Sequence, residues 1–151
     1  MMDEEYFTLI NDIIDDENFQ KLKDEKHHGI SRYEHLIRVS KKTFLITKRK
    51  KLDYKKATRA ALMHDFFYSS ETKTTTLKGA LKHPILAYEH ASKLIELSPK
   101  EGNIIRSHMF PITKELPKSR EAWIVVHVDK TVGFMEFIKY KFNPFHKKNN
   151  K

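Results

Sequence analysis

Two ionisable residues, His64 and Asp65, stand side by side in an apolar stretch that runs from Ala60 to Tyr68. Aliphatic residues precede the pair and aromatic residues follow it, so both side chains are expected to lie away from water. Burying an isolated carboxylate or imidazole among apolar groups costs on the order of several kcal/mol unless a partner compensates. The sequence therefore raises the question of what this pair binds.

A second carboxylate, Asp129, ends a segment from Trp123 to Asp129 that is apolar on nearly every side. A helix of that composition is buried. At helical spacing Asp129 shares a stripe with Val125 and Val126, so its carboxylate is predicted to point into the core. A buried lysine or arginine would be a sufficient partner for one such acid, but the same explanation must also cover Asp65 and several histidines.

Four histidines are predicted to join these acids from separate helices. His35 lies beside an apolar stripe, His64 extends an alanine-rich face, His83 stands where a helix is expected to begin, and His108 follows Ile104 by one turn. Each histidine alone is explained as a core or surface residue. A divalent transition metal explains them jointly, because imidazole and carboxylate are good ligands and the ion offsets the desolvation of the acids.

The number and identity of the ions stay open. Four ligands would hold one ion, whereas six ligands with one bridging carboxylate would suit two ions about 3.5–4 Å apart. The mixture of imidazole and carboxylate favours manganese, iron, zinc, cobalt or nickel over calcium or a purely magnesium site.

The bulk composition narrows the class of protein further. The chain has 151 residues, a length that fits one domain, and it has no cysteine, which excludes disulfides and thiolate chemistry. No apolar run approaches the ~20 residues needed to span a bilayer, and the acidic N-terminus is unlike a secretory signal. A cytoplasmic location without a membrane partner is therefore expected. The net charge of +9 attracts anions without selecting among nucleotides, nucleic acid and acidic lipid.

The elements that position these residues are predicted to be helices joined by short loops, an all-α single domain of about six helices. The first helix is expected over residues 3–23. Start signals for the later helices are Ser31, Asp53, Pro84, Ser98 and Ser119. Three regions are predicted along the chain: an N-terminal helix that packs on the core, the metal-binding helical domain and a basic tail, at residues 1–25, 26–140 and 141–151.

Five segments together resemble the motifs of the HD-domain metal-dependent phosphohydrolase superfamily. "YEHLIRVS" is similar to its first motif, "AALMHDFF" looks like its His-Asp motif, and "VVHVDKTV" looks like the last one. "LKHPILAYEHA" and "IIRSHMFP" look like the additional histidine segments of members that hold two metals. The resemblance covers roughly residues 28–137.

This resemblance implies an all-helical HD-type domain that binds one or two divalent ions and hydrolyses phosphoesters. Carried over residue by residue, the ligands of the first ion would be His35, His64, Asp65 and Asp129, and the second ion would be held by His83 and His108.

Further roles are expected around such a site. Asp65 is a candidate to accept the proton of the attacking water, and Lys130 and His28 are candidates to assist the leaving group. Arg32 and Arg38 are candidates for phosphate binding. The expected substrate is a small phosphorylated molecule, with a nucleotide favoured, and the expected nucleophile is a metal-activated water. The sequence leaves open whether the bond that is cleaved belongs to a phosphomonoester, a phosphodiester or a pyrophosphate.

Two other functions stay open at this point. One is a metal-binding HD-fold protein without catalysis that serves as a sensor or interaction module. The other is a helical nucleic-acid binder driven by the basic charge, which is disfavoured because no nucleic-acid fold signature is present. A homodimer is also left open.

Overall fold

Helices form nearly all of the structure, a computed structural model that describes residues 2–27 and 29–143. Within these residues there are seven α-helices, which confirms the all-α class. Their bounds are α1 Met2–Ile14, α2 Glu17–Gln20, α3 Arg32–Arg49, α4 Tyr54–Met63, α5 Leu77–Leu94, α6 Pro99–Ser107 and α7 Arg120–Lys141. A turn of 3-10 helix spans Lys21–Asp24, and the strands β1 (Lys26–His27) and β2 (Ile30–Ser31) pair in antiparallel fashion.

Side-chain caps fix where the helices that carry the histidines and aspartates begin. Ser31, Asp53, Ser98 and Ser119 each accept a hydrogen bond from the backbone N–H three residues further on, at 3.0–3.3 Å. Ser98 and Glu101 cap each other reciprocally at the start of α6. These bonds satisfy N–H groups that have no partner inside a helix, and they confirm the start signals predicted at these positions.

The first predicted helix is wrong beyond Ile14. The chain breaks there, and the side chain of Asp16 caps the short helix α2 by accepting from the N–H of Phe19 at 2.9 Å. A cap of this kind satisfies a free N–H in the first turn of a new helix. Phe19 and Leu22 can then fold back into the core, where both are fully buried.

The predicted start of α5 is also wrong. The helix begins at Leu77, because the hydroxyl of Thr76 accepts a hydrogen bond from the N–H of Gly79 at 3.0 Å. Pro84 therefore lies inside the helix rather than in its first turn, and it removes one helical hydrogen bond. As a result, His83 lies in the second turn of α5 instead of at its start.

One hydrophobic core joins the helices around the centre of the domain. α3 packs against both α4 and α7, and α6 packs against α4 and α5. α1 belongs to the same core, since Tyr6, Ile10 and Ile13 are buried in it. The predicted region boundaries stay a prediction, and residues 144–151 of the basic tail lie outside the described residues. Among the described helices, none combines the length and apolar composition needed to cross a bilayer.

The burial of α1 can be tested at Ile10. We expect Ile10→Ala to lower the free energy of unfolding by about 2–5 kcal/mol, because it leaves a cavity in the core. Phe7→Ala on the exposed side of the same helix is the control, with an expected change within about 0.5 kcal/mol. Urea denaturation measures both values, and equal effects would contradict the packing of α1.

Candidate metal centre

Ligand atoms from five helices or helix ends meet at the centre of the domain. The residues are His35 on α3, His64 and Asp65 at the end of α4, His83 on α5, His108 at the end of α6 and Asp129 on α7. They form two groups, and the ligand atoms within each group lie within 4.8 Å of one another. The first group is His35, His64, Asp65 and Asp129, and the second is Asp65, His83 and His108.

Asp65 belongs to both groups, and its two oxygens face different histidines. Oδ2 lies 3.8 Å from Nε2 of His35 and 3.5 Å from Nε2 of His64. Oδ1 lies 3.3 Å from Nε2 of His83 and 3.1 Å from Nε2 of His108. One carboxylate thus faces two adjoining groups of ligands, which is the arrangement that a bridging ligand between two ions requires.

Asp129 completes the first group from the opposite side. Its Oδ1 lies 3.0 Å from Nε2 of His35 and 3.1 Å from Nε2 of His64. The first group therefore offers two imidazole nitrogens and two carboxylates to one ion. That set of donors suits a divalent transition metal.

The outer nitrogen of each histidine is held by an acceptor. Nδ1 of His64 donates to the carbonyl of Ala61 at 2.6 Å. In the same way, Nδ1 of His83 donates to the carbonyl of Gly79 at 3.1 Å, and Nδ1 of His108 donates to that of Ile105 at 2.7 Å. A carbonyl only accepts, so Nδ1 carries the hydrogen, and the neutral ring presents a lone pair at Nε2. Outer hydrogen bonds of this type fix the tautomer and orientation of metal-binding histidines.

His35 has a carboxylate in the same role. Its Nδ1 donates to Oε1 of Glu136 at 2.5 Å, and Glu136 is 4% exposed. Glu136 is not among the site residues predicted from the sequence. A signal was present, because Glu136 follows Asp129 by seven residues and so lies on the same side of α7 two turns later.

The residues present fit a divalent cation. Nε2 of His83 and Nε2 of His108 are 3.0 Å apart, and with both Nδ1 atoms protonated two lone pairs face each other. Oδ1 of Asp65 is buried beside them, and it has no hydrogen-bond partner among the described residues. Such a set of acceptor atoms is stabilised when a cation binds between them.

The electrostatics of the centre keep its carboxylates ionised. Burial would raise the pKa of Asp65 and Asp129, but neighbouring imidazoles, above all His64, hold both pKa values below the usual range. For His35, burial would lower the pKa, but hydrogen bonds to Asp129 and Glu136 outweigh it and raise the pKa to about 10. Burial lowers the pKa of His108. His35 therefore carries a proton between Asp129 and Glu136, and an ion held by its Nε2 would take the place of that proton.

A cavity of about 760 Å³ opens above the two groups, and two other predicted site residues line it. Nζ of Lys130 donates to the carbonyl of Phe110 at 2.7 Å. The guanidinium of Arg32 lies 3.8 Å above the ring of Phe67 and donates to the carbonyl of that residue. Arg32 is 5% exposed, so it forms a fixed part of the wall.

Of the two remaining predicted residues, Arg38 does not line this cavity. Arg38 places NH1 3.4 Å from Oε2 of Glu136 and faces a separate groove between α3 and α7. His28 lies outside the described residues.

The helical fold and the two adjoining groups of histidines and aspartates are the features of a helical domain that can bind metal ions. The sequence model of the HD domain matches residues 32–132, which include each of the six predicted ligands. The chain therefore belongs to the HD domain family. No curated protein sequence and no solved structure matches the chain.

Metal content tests the two groups separately. We expect His108→Ala to lower the metal content from two ions per chain to one, because only the second group loses a ligand. His127→Ala, at an exposed position on α7, is the control and should keep both ions. Elemental analysis of protein purified without a histidine tag gives the content. Equal content in all variants would contradict binding at the second group.

The role of Glu136 can be tested in the same way. Glu136→Gln should weaken metal binding at the first group by about 10–100-fold, since loss of an outer carboxylate leaves His35 less basic and less firmly oriented. Glu121→Gln replaces another buried carboxylate of α7 that bonds the N–H of Asp53 and is distant from the ligands. Calorimetric titration with Mn²⁺ compares the two, and matching affinities would argue against an orienting role.

Proposed function

We propose that this protein is a metal-dependent phosphohydrolase that cleaves a phosphoester or phosphoanhydride of a small molecule, with a nucleotide as the favoured substrate. The observation that carries the proposal is Asp65, whose two oxygens face two histidine groups at the floor of an open cavity. Membership of the HD domain family supports the same class of reaction. One or two divalent ions would supply a nucleophile from water at neutral pH and would neutralise charge on the phosphoryl oxygens.

Separate roles are assigned to the side chains of the two groups. His35, His64 and Asp129 would hold the ion of the first group, and His83 and His108 that of the second. Asp65 lies between the groups and borders the cavity, next to the place where a metal-bound water would lie. We therefore assign it the task of accepting a proton from the attacking water.

Two cations in the cavity wall are assigned to the substrate. Arg32 presents a fixed positive charge, because Phe67 and Glu25 hold its guanidinium in place. Nζ of Lys130 is assigned to the leaving oxygen, where an ammonium donor stabilises developing negative charge. The proposed catalytic role of His28 stays a prediction. Arg38 does not line this cavity, so a contact between Arg38 and the substrate is not part of the proposal.

The proposal favours a small substrate over a polymer. A cavity of about 760 Å³ lies within the range of small-molecule sites, roughly 300–1,000 Å³. The cleaved bond, the metal, the cytoplasmic location and a homodimer stay predictions.

Activity of the reconstituted protein tests the proposal. Protein loaded with Mn²⁺, Fe²⁺, Co²⁺, Ni²⁺ or Zn²⁺ should hydrolyse at least one member of a panel of phosphomonoesters, phosphodiesters and nucleotides. Asp65→Asn should lower kcat/KM by about 10²–10⁴-fold, because it removes both a ligand and the proton acceptor. Asp24→Asn, an exposed change outside the cavity, is the control.

The alternative of a silent metal-binding protein gives a different result. Retained metal without turnover of any member of the panel would contradict the proposed hydrolysis. It would favour a sensor or interaction module instead.

A further inference from the structure

Lysines from three separate segments line the cavity that contains the two groups of candidate metal ligands. They are Lys26 in β1, Lys73 in the loop between α4 and α5, and Lys130 on α7. Among the described residues, the only carboxylates that line the cavity are the metal-ligand residues Asp65 and Asp129. Once cations compensate those two acids, the cavity keeps a net positive charge.

Two of these lysines are available to bind an anion. Lys130 donates to the carbonyl of Phe110, whereas Lys26 and Lys73 form no salt bridge or side-chain hydrogen bond with another described residue. Unpaired ammonium groups that line one cavity repel each other, and an anion placed between them removes that repulsion. Each ammonium group also brings three hydrogen-bond donors.

The backbone of Lys73 is held in place by the first turn of α5. Its carbonyl accepts a hydrogen bond from the hydroxyl of Thr76 at 3.2 Å. The same carbonyl lies against Gly79, where an added Cβ would be 1.6 Å from the oxygen. The absence of a side chain at Gly79 therefore allows this turn to pack closely, which directs Lys73, Thr74 and Thr75 to the cavity.

A substrate with a single phosphoryl group would not contact Lys26 and Lys73, because that group would bind at the metal ligands. The reacting phosphoryl group would be neutralised at the floor, where the two metal groups and Arg32 meet. The cavity of about 760 Å³ extends from that floor to Lys26 and Lys73, and its volume is that of a site for a whole small molecule.

We infer that the substrate carries a second phosphoryl group, separate from the one that reacts, and that Lys26 and Lys73 bind it. The inference rests on the proposed function, because it assumes that the reacting phosphoryl group binds at the metal groups. It adds a substrate class, since molecules with two phosphoryl groups are bound more tightly than monophosphates of the same size.

Two stable probes that share a carbon chain test the inference without requiring turnover. Butylphosphonate carries one phosphonate, and tetramethylene bisphosphonate carries a second one at the other end. Calorimetric titration of the Mn²⁺-loaded protein should give a dissociation constant about tenfold lower for the bisphosphonate, the effect of one added charge-assisted hydrogen bond. The double variant Lys26→Ala/Lys73→Ala should reduce this preference to less than about threefold.

A matched double variant controls for the loss of two positive charges. Lys55→Ala/Lys93→Ala changes two exposed helix positions that do not line the cavity, and it should keep the full preference. Elemental analysis of each variant verifies that its metal content is unchanged.

The outcomes separate the inference from the proposed function. Equal affinity of the wild-type protein for both probes would overturn the inference and leave the proposed function standing. A preference that persists in the Lys26→Ala/Lys73→Ala variant would also overturn it. Failure of the metal-loaded protein to bind either probe would contradict the proposed function, and the inference with it.

Discussion

The structure depends on one electrostatic constraint, the gathering of two carboxylates and four imidazole nitrogens within a few ångströms inside a helical core. With all four rings neutral and both carboxylates ionised, these acceptor atoms would repel one another, so either protons or a cation must lie between them. Asp65 carries most of this constraint, because its two oxygens face both groups. A cation bound between these atoms would therefore stabilise the folded centre.

The ends of two helices supply part of the framework that holds the ligands. His64 follows α4 and His108 follows α6, and each ring donates Nδ1–H to the carbonyl three residues earlier. The last carbonyls of a helix have no partner within it. The two imidazoles satisfy such carbonyls and, in doing so, are oriented with Nε2 towards Asp65. The other two rings are oriented by groups within helices. Nδ1 of His83 donates to the carbonyl of Gly79, and Nδ1 of His35 donates to the carboxylate of Glu136.

The residues that line the cavity are of two kinds. The histidines and aspartates of the two groups come from the helical core, where hydrogen bonds to their outer atoms orient the rings. The lysine and hydroxyl side chains come from β1, from the segment between α4 and α5 and from α7. The same cavity therefore joins the candidate metal ligands to a wall that carries positive charge.

The all-α class, the caps at Ser31, Asp53, Ser98 and Ser119 and the six residues that meet at the centre could be predicted from the sequence. These features follow from local spacing and from the high cost of burying unpaired polar groups. The packing of the helices against one another decided that Asp65 faces both groups, that Glu136 orients His35 and that Arg38 faces away from the cavity. It also decided that the chain breaks after Ile14 and that α5 begins before Pro84. Those features depend on how separate helices pack against one another, and periodicity along a single helix carries no information about that packing.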